Sequence, residues 1–183
     1  MTKGKSGPRL GGRYAFVKRR LLQLPQQSCG MEVDYCPLPE IVEGEGGFWL
    51  GMVVDHDTGH ILETSVLEAL PSAEDAADIL AGAMERAHPK APCRPEIALL
   101  RDNPTWEPLF PWLEHLGIKI KVTEELRHWD AKAEELVQWM QANWSPLPDF
   151  LAGMHEKYGI YGTLSRLNFL TYRFRYFEQE GSP

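Results

Sequence analysis

Phe48-Trp-Leu-Gly-Met-Val-Val-Asp-His-Asp-Thr-Gly-His-Ile-Leu-Glu-Thr-Ser-Val-Leu67 decides how this chain is read. Phe48 to Val54 is almost continuously apolar, the pattern of a central strand covered on both faces. Asp55-His-Asp-Thr-Gly59 closes it, and a glycine after Asp and Thr supplies the positive φ that a tight hairpin requires. From His60 to Leu67, Ile61, Glu63 and Ser65 alternate with Leu62, Thr64 and Val66, so a second strand is expected antiparallel to the first.

Working outward, Met31 to Cys36 predicts a short strand stopped by Pro37 and Pro39, and Glu43-Gly-Glu-Gly-Gly47 predicts a turn. Downstream, Ser72 is an N-cap with Asp75 three residues later as its capping-box partner. Ala76, Ala77, Leu80, Ala83, Met84 and Ala87 then recur at helical spacing, giving a helix over Ala73–Ala87. Glu96 to Arg101 reads as a buried strand ending at Asp102-Asn103. Pro104 and Pro108 suit the start of a second helix and Gly117 its stop, with Leu109, Phe110, Leu113 and Leu116 facing the sheet. Ile118 to Val122 alternates as a strand, and Asp130 is expected to cap a third helix carrying Ala133, Leu136, Val137 and Met140.

At 183 residues the chain suits one domain with extensions, and 25% charged and 43% hydrophobic residues are ordinary globular values. No apolar stretch approaches bilayer length and the N-terminus has no apolar signal segment, so a cytoplasmic protein without a membrane partner is expected. Cys29, Cys36 and Cys93 are odd in number and contain no Cys-x-x-Cys pair, which argues against a disulfide framework or structural zinc. His56 and His60 flank a turn and are read as turn residues. A hydrolase with a Ser or Cys nucleophile finds no Gly-x-Ser-x-Gly, no recognisable Cys/His setting and no phosphate-binding glycine loop.

The net charge of -7 conceals an asymmetry. Lys3, Lys5, Arg9, Arg13, Lys18, Arg19 and Arg20 occur before the first acidic residue, so a basic arm precedes an acidic body. Three segments are expected: a basic, mobile arm over residues 1–30, an α/β domain over 31–144, and a helical extension over 145–183. In the arm, Val17, Leu21 and Leu24 suggest one short helix around Tyr14 to Leu24. In the extension, Leu164, Leu167, Leu170, Phe174 and Phe177 form a helical stripe with Arg166, Arg173 and Arg175 off it. Arg13, Lys18, Arg19, Arg20, Arg173 and Arg175 are the candidate contacts to nucleic acid or a protein partner; the plainer reading is a solvated tail and a packing helix.

Three strand-like runs followed by alternating helices and strands outline an RNase H-like α/β domain, a mixed sheet of about five strands with three flanking core helices. Met31-Glu-Val-Asp34, Val53-Val-Asp-His-Asp-Thr-Gly-His-Ile61, Arg94-Pro-Glu-Ile-Ala-Leu-Leu-Arg-Asp-Asn103 and His115-Leu-Gly-Ile-Lys119 resemble the retroviral-integrase and DDE-transposase group of that superfamily. Leu38-Pro-Glu-Ile, Asp57-Thr-Gly, Arg94-Pro-Glu-Ile and Leu116-Gly-Ile also resemble a bacterial family labelled as a domain of unknown function, which implies no activity. In the integrase group two divalent metals are held by an aspartate on the first strand, an aspartate after the fourth and a glutamate on a later helix. The resemblance implies Asp34, Asp102 and Glu134 or Glu135 in those places, with Mg²⁺ or Mn²⁺ as the ion.

On the third helix the stripe Ala133, Val137, Met140 and Trp144 leaves Glu135 opposite and Glu134 on a flank, so Glu134 is the one able to reach inward. The helix is acidic, and Pro104 stands where integrase-like enzymes carry a glycine after Asp-Asn. These departures favour a non-catalytic RNase H-like binding domain needing no cofactor, with Asp34, Asp55 and Asp102 as strand-end residues that cap backbone N–H groups. The alternative is a metal-dependent nuclease or strand-transfer enzyme using Asp34, Asp102 and Glu134.

Overall fold

The computed structural model describes residues 13–38, 47–86 and 91–144. Its elements in chain order are α1 (Arg13–Leu21), β1 (Gln26–Pro37), β2 (Trp49–Asp55), β3 (Ile61–Leu67), α2 (Ala73–Arg86), β4 (Arg94–Arg101), α3 (Phe110–His115), β5 (Lys119–Thr123) and α4 (Arg127–Trp144). A single five-stranded sheet runs in the order β3-β2-β1-β4-β5. β1, β2 and β3 pair antiparallel, whereas β4 lies parallel to both β1 and β5. The mixed sheet with helices on both faces is the expected RNase H-like α/β architecture.

Alternation along β1 divides the core. Met31, Val33 and Tyr35 face one layer, where α1, α2 and α3 cover the sheet with Tyr14, Leu21, Leu80, Met84, Leu109, Leu113 and Leu116. Leu50, Met52, Val54 and Leu99 face the other, where α4 contributes Trp129, Ala133 and Leu136. Burying each large aliphatic side chain contributes roughly 1.5–3 kcal/mol, so both layers are needed to hold the sheet.

The hairpin forms as the sequence implies. Asp55 Oδ1 accepts from the N–H groups of Asp57 and Thr58 at 3.0 and 2.9 Å, and Gly59 takes φ +73°. The capping box of α2 also forms: Ser72 N–H donates to Asp75 Oδ2 at 2.8 Å and Asp75 N–H to Ser72 Oγ at 3.3 Å. Tyr35 lies across Gly51, its partner in the β1–β2 register; a Cβ there would stand 2.2 Å from the ring.

Several boundaries move. β1 begins at Gln26 rather than Met31, because the polar stretch Gln26-Gln-Ser28 is a half-solvated strand end that pairs with the start of β4. The second helix is split: Asn103 Oδ1 accepts the Thr105 N–H at 3.0 Å and starts a 3₁₀ segment over Pro104–Leu109, and α3 proper begins at Phe110. α4 begins at Arg127, so Asp130 lies within its first turn rather than at its cap.

Residues 13–30, placed in the arm by sequence, carry α1 and the first residues of β1. The Tyr14 hydroxyl donates to Glu74 O at 2.8 Å on α2. Residues 1–12 and the extension over 145–183, including its helical stripe, lie outside the described residues, as does Ala87.

Candidate functional site

On the α4 side of the sheet, β1 presents Glu32, Asp34 and Cys36 in alternation, opposite in facing to Met31, Val33 and Tyr35. Buried carboxylates on a central strand are costly unless their charge is matched, and each of these two is matched by different partners.

Glu32 is fully buried. Its Oε2 accepts the backbone N–H groups of His128 and Trp129 at 3.0 and 2.8 Å, in the first turn of α4. Its Oε1 pairs with His56 Nδ1 at 2.6 Å, from the turn after β2. A helix leaves its first N–H groups unpaired and carries partial positive charge there, and α4 has leucine, with no capping side chain, just before its first residue. A strand carboxylate therefore does what an N-cap residue ordinarily does. The Trp129 indole N–H adds a bond to Met52 O at 3.0 Å, fastening the same turn to β2.

Two residues on, Asp34 meets a side-chain cation. Ile97, Leu99 and Arg101 share one face of β4, so the parallel register of β1 and β4 brings Arg101 alongside Asp34. Arg101 Nε donates to Asp34 Oδ2, its Nη2 to Asp130 Oδ1, and its Nη1 to Glu124 O at 2.8 Å. The other oxygen of Asp130 accepts Leu126 N–H at 3.0 Å. The Arg101 guanidinium also lies 5.7 Å from the centre of the Trp129 ring.

Burial holds the Asp34 carboxyl above its ordinary range, against the opposing pull of Arg101. Burial works against the Arg101 charge as well, but the hydrogen bonds it donates to Asp34 and Asp130 outweigh it and hold the guanidinium above its usual value. Cys36 is pushed up to about 11 by burial first and the Asp34 charge second, which makes its thiol a poor nucleophile.

The candidates from sequence are thus distributed unevenly. Asp34 stands at this site. Asp102 is exposed just past the end of β4, its backbone N–H donating to Thr123 O at 2.9 Å. Glu134 is exposed one turn beyond Asp130, where its Oε1 accepts from Gln138 Nε2 at 3.1 Å. Asp130 is the carboxylate of α4 that reaches the strand, and Arg101 is the cation it reaches; sequence reasoning assigned neither to the site. The available signals were the alternation of Ile97, Leu99 and Arg101 and the placement of Asp130 four residues before Glu134.

The divalent-metal site implied by the fold does not fit these residues. The Arg101 guanidinium pairs with Asp34, the one expected ligand that stands at the site, Asp102 and Glu134 are exposed with other partners, and among the described residues no three His, Cys, Asp or Glu side chains converge to hold an ion.

Among the candidate contacts, Arg13 begins α1, and Lys18, Arg19 and Arg20 form its last turn. Arg20 Nη2 pairs with Glu85 Oε1 at 2.7 Å while its guanidinium lies 5.7 Å from the ring of Phe16, which is 66% exposed. Arg173 and Arg175 lie outside the described residues. No helix among the described residues is long and apolar enough to cross a membrane.

The sheet order and the helix packed across β1 and β2 make an RNase H-like fold. Among solved structures, the magnesium-bound catalytic core of HTLV-2 integrase is similar at 11% identity, covering 69% of this chain and 77% of that one, with a TM-score of 0.52. The simian T-cell lymphotropic virus intasome, in complex with the PP2A regulatory subunit B56 gamma, is similar at 15% identity, covering 68% and 43%, with a TM-score of 0.53. At such identities the likeness is one of fold. Residues 17–137 match the family described as a domain of unknown function, DUF6930, and the chain belongs to that family. No curated protein matches the sequence.

Proposed function

We propose that the protein is a non-catalytic RNase H-like binding domain, a cytoplasmic module that meets nucleic acid or an acidic protein surface through its basic N-terminal region. The observation that carries the reading is Arg101, whose charge is already paired with Asp34, the strand carboxylate that metal chemistry would need, and with Asp130 of α4. The contact surface is supported by α1, where Lys18 and Arg19 accompany the exposed Phe16 and the basic residues of the preceding segment add to the same charge.

The test is calorimetric titration of Mn²⁺ and Mg²⁺ into the wild type and Asp102→Asn, beside cleavage assays on single- and double-stranded DNA and RNA. No saturable metal binding and no cleavage are expected. Metal binding and cleavage in the wild type that both disappear in Asp102→Asn overturn the reading. They would favour the second one, a metal-dependent nuclease or strand-transfer enzyme using Asp34, Asp102 and Glu134, which is motivated by Asp34 on β1 and Asp102 directly after β4.

A further inference from the structure

We infer that the cleft between α2 and β3 is a dock for the chain's own basic segment, residues 1–12, with Arg9 as the side chain that enters it. The docking is independent of the contact surface proposed above; its consequence, that the cleft competes with nucleic acid for the segment's cations, rests on that reading.

The cleft has a volume of about 260 Å³. Buried Tyr35 and Ile79 and half-buried Leu67 give it an apolar lining. Glu63 of β3 and Asp75 and Asp78 of α2 set three carboxylates against one guanidinium, that of Arg86, for a formal charge of -2. Arg86 Nη2 pairs with Glu63 Oε2 at 3.0 Å, so the surplus lies at Asp75 and Asp78. Ser72 and Tyr14 donate to these two carboxylates as neutral groups and leave their charge in place. Asp75 is half-buried and Asp78 exposed, so solvent reaches the negative side of the cleft. An apolar lining with carboxylates at its open side suits a long cationic side chain, whose methylene stem packs while its head is paired.

The chain supplies such side chains at the right place. Residues 1–12 hold Lys3, Lys5 and Arg9 and no acidic residue. At the start of α1 the Tyr14 hydroxyl donates to Glu74 O at 2.8 Å and lies 3.2 Å from Asp78 Oδ1. At the other end of α1, Arg20 pairs with Glu85 at 2.7 Å. α1 therefore runs along α2 in the same direction, and the chain before it joins the fold at the Asp75–Asp78 end. Tyr14 already touches a residue of the cleft, and Arg9 precedes it by five positions, an extended reach of about 17 Å. The tether keeps the cations at an effective concentration on the order of millimolar, so contacts that are individually weak hold the segment.

The experiment is zero-length carbodiimide cross-linking of the full-length protein, mixed as equal parts of isotopically labelled and unlabelled chains and read by mass spectrometry. At about 20 mM salt, Lys3 and Lys5 should link chiefly to Glu74, Asp75 and Asp78 of the same chain, and these links should fall roughly fivefold at about 500 mM salt. Arg9→Glu should lower the Lys3 and Lys5 links by a similar factor, whereas Arg9→Lys should keep them. Asp78→Asn retains an acceptor for Tyr14 and should weaken the links that remain at Glu74 and Asp75. Fluorescence anisotropy with an oligothymidylate of about 20 nucleotides should show Asp78→Asn binding roughly threefold more tightly than wild type, because the segment is released.

Links scattered over the carboxylates of the domain, or unchanged in Arg9→Glu, overturn the docking. Links chiefly between labelled and unlabelled chains put the segment of a second copy in the cleft and overturn its assignment to the same chain. Equal oligonucleotide affinity of wild type and Asp78→Asn overturns the competition. Intact links with no oligonucleotide binding by either protein sink the contact to nucleic acid and leave the docking standing, whereas firm oligonucleotide binding without the links sinks the docking alone.

Discussion

Glu32 and Asp34 stand two residues apart on the same face of β1, both beneath α4, and their charges are answered by opposite means. Peptide N–H groups of the α4 first turn and the ring of His56 bond Glu32. A guanidinium at the end of β4 bonds Asp34. Helix amides cannot be exchanged without undoing the helix, so the Glu32 contact is part of the fold itself. A side-chain cation can be removed by one substitution, so the Asp34 contact is an adaptable position on a frame that the Glu32 contact keeps rigid.

The largest effect should come from breaking the rigid half. Glu32→Ala strands two buried N–H groups and removes three hydrogen bonds to a charged acceptor, and should cost about 4 kcal/mol. Glu32→Gln keeps an oxygen for the helix amides and should cost about half of that. Urea denaturation of both measures it; a loss below about 1 kcal/mol for the alanine variant would show that α4 is held by Trp129 and Leu136 instead.

The adaptable half should behave differently under paired replacement. Arg101→Leu alone leaves Asp34 buried and unmatched and should cost about 3 kcal/mol, somewhat eased by the partial exposure of the pair. Adding Asp34→Leu removes the stranded charge and should restore stability to within about 1 kcal/mol of wild type, since an apolar pair can replace a buried ion pair. A double mutant as unstable as Arg101→Leu would erase the distinction between the two carboxylates.

This division also explains what could be read in the sequence. The order of elements was legible because apolar alternation, Asp-Thr-Gly and the Ser72–Asp75 pair are local signals that the tertiary structure reinforces. The start of β1 was not, since Gln26 and Ser28 face solvent and have no apolar pattern. Asp34 was legible as a strand carboxylate in a resemblance. Its partner was not: Arg101 is 67 residues away, and only the parallel pairing of β1 with β4 makes them neighbours. Glu32 looked like an ordinary alternating residue because capping a helix 96 residues later leaves no mark in local spacing.

A pH series sharpens the comparison further. The folded protein holds the Asp34 carboxyl above its ordinary value, chiefly through burial, so the native state takes up this proton before the unfolded chain does. Asp34 therefore makes wild type gain stability relative to Asp34→Asn as pH falls from the raised native value toward the ordinary aspartate value of about 3.9. Below that value the difference levels off. The denaturation midpoint of wild type should rise relative to that of Asp34→Asn at successively lower pH; a difference that favours wild type more at neutral pH would mean that Arg101 outweighs burial.

The smallest effect is on chemistry rather than stability, and Cys36 reports it. Its thiol lies on the same strand face, two residues past Asp34, and is pushed up to about 11 by burial and then by the Asp34 charge. At pH 8 its thiolate fraction should fall about 100-fold below that of an ordinary cysteine, so iodoacetamide should label it correspondingly slowly in the folded protein. Asp34→Asn removes the nearer negative charge and should speed labelling, whereas Glu32→Gln should leave the rate at Cys36 almost unchanged because Asp34, Arg101 and Asp130 are the charges this thiol senses. Mass spectrometry of the labelled Cys36 peptide separates it from buried Cys29 and Cys93. Equal acceleration by both substitutions would mean that the thiol responds to loosening of α4, and that the two carboxylates act as one unit rather than as anchor and exchangeable pair.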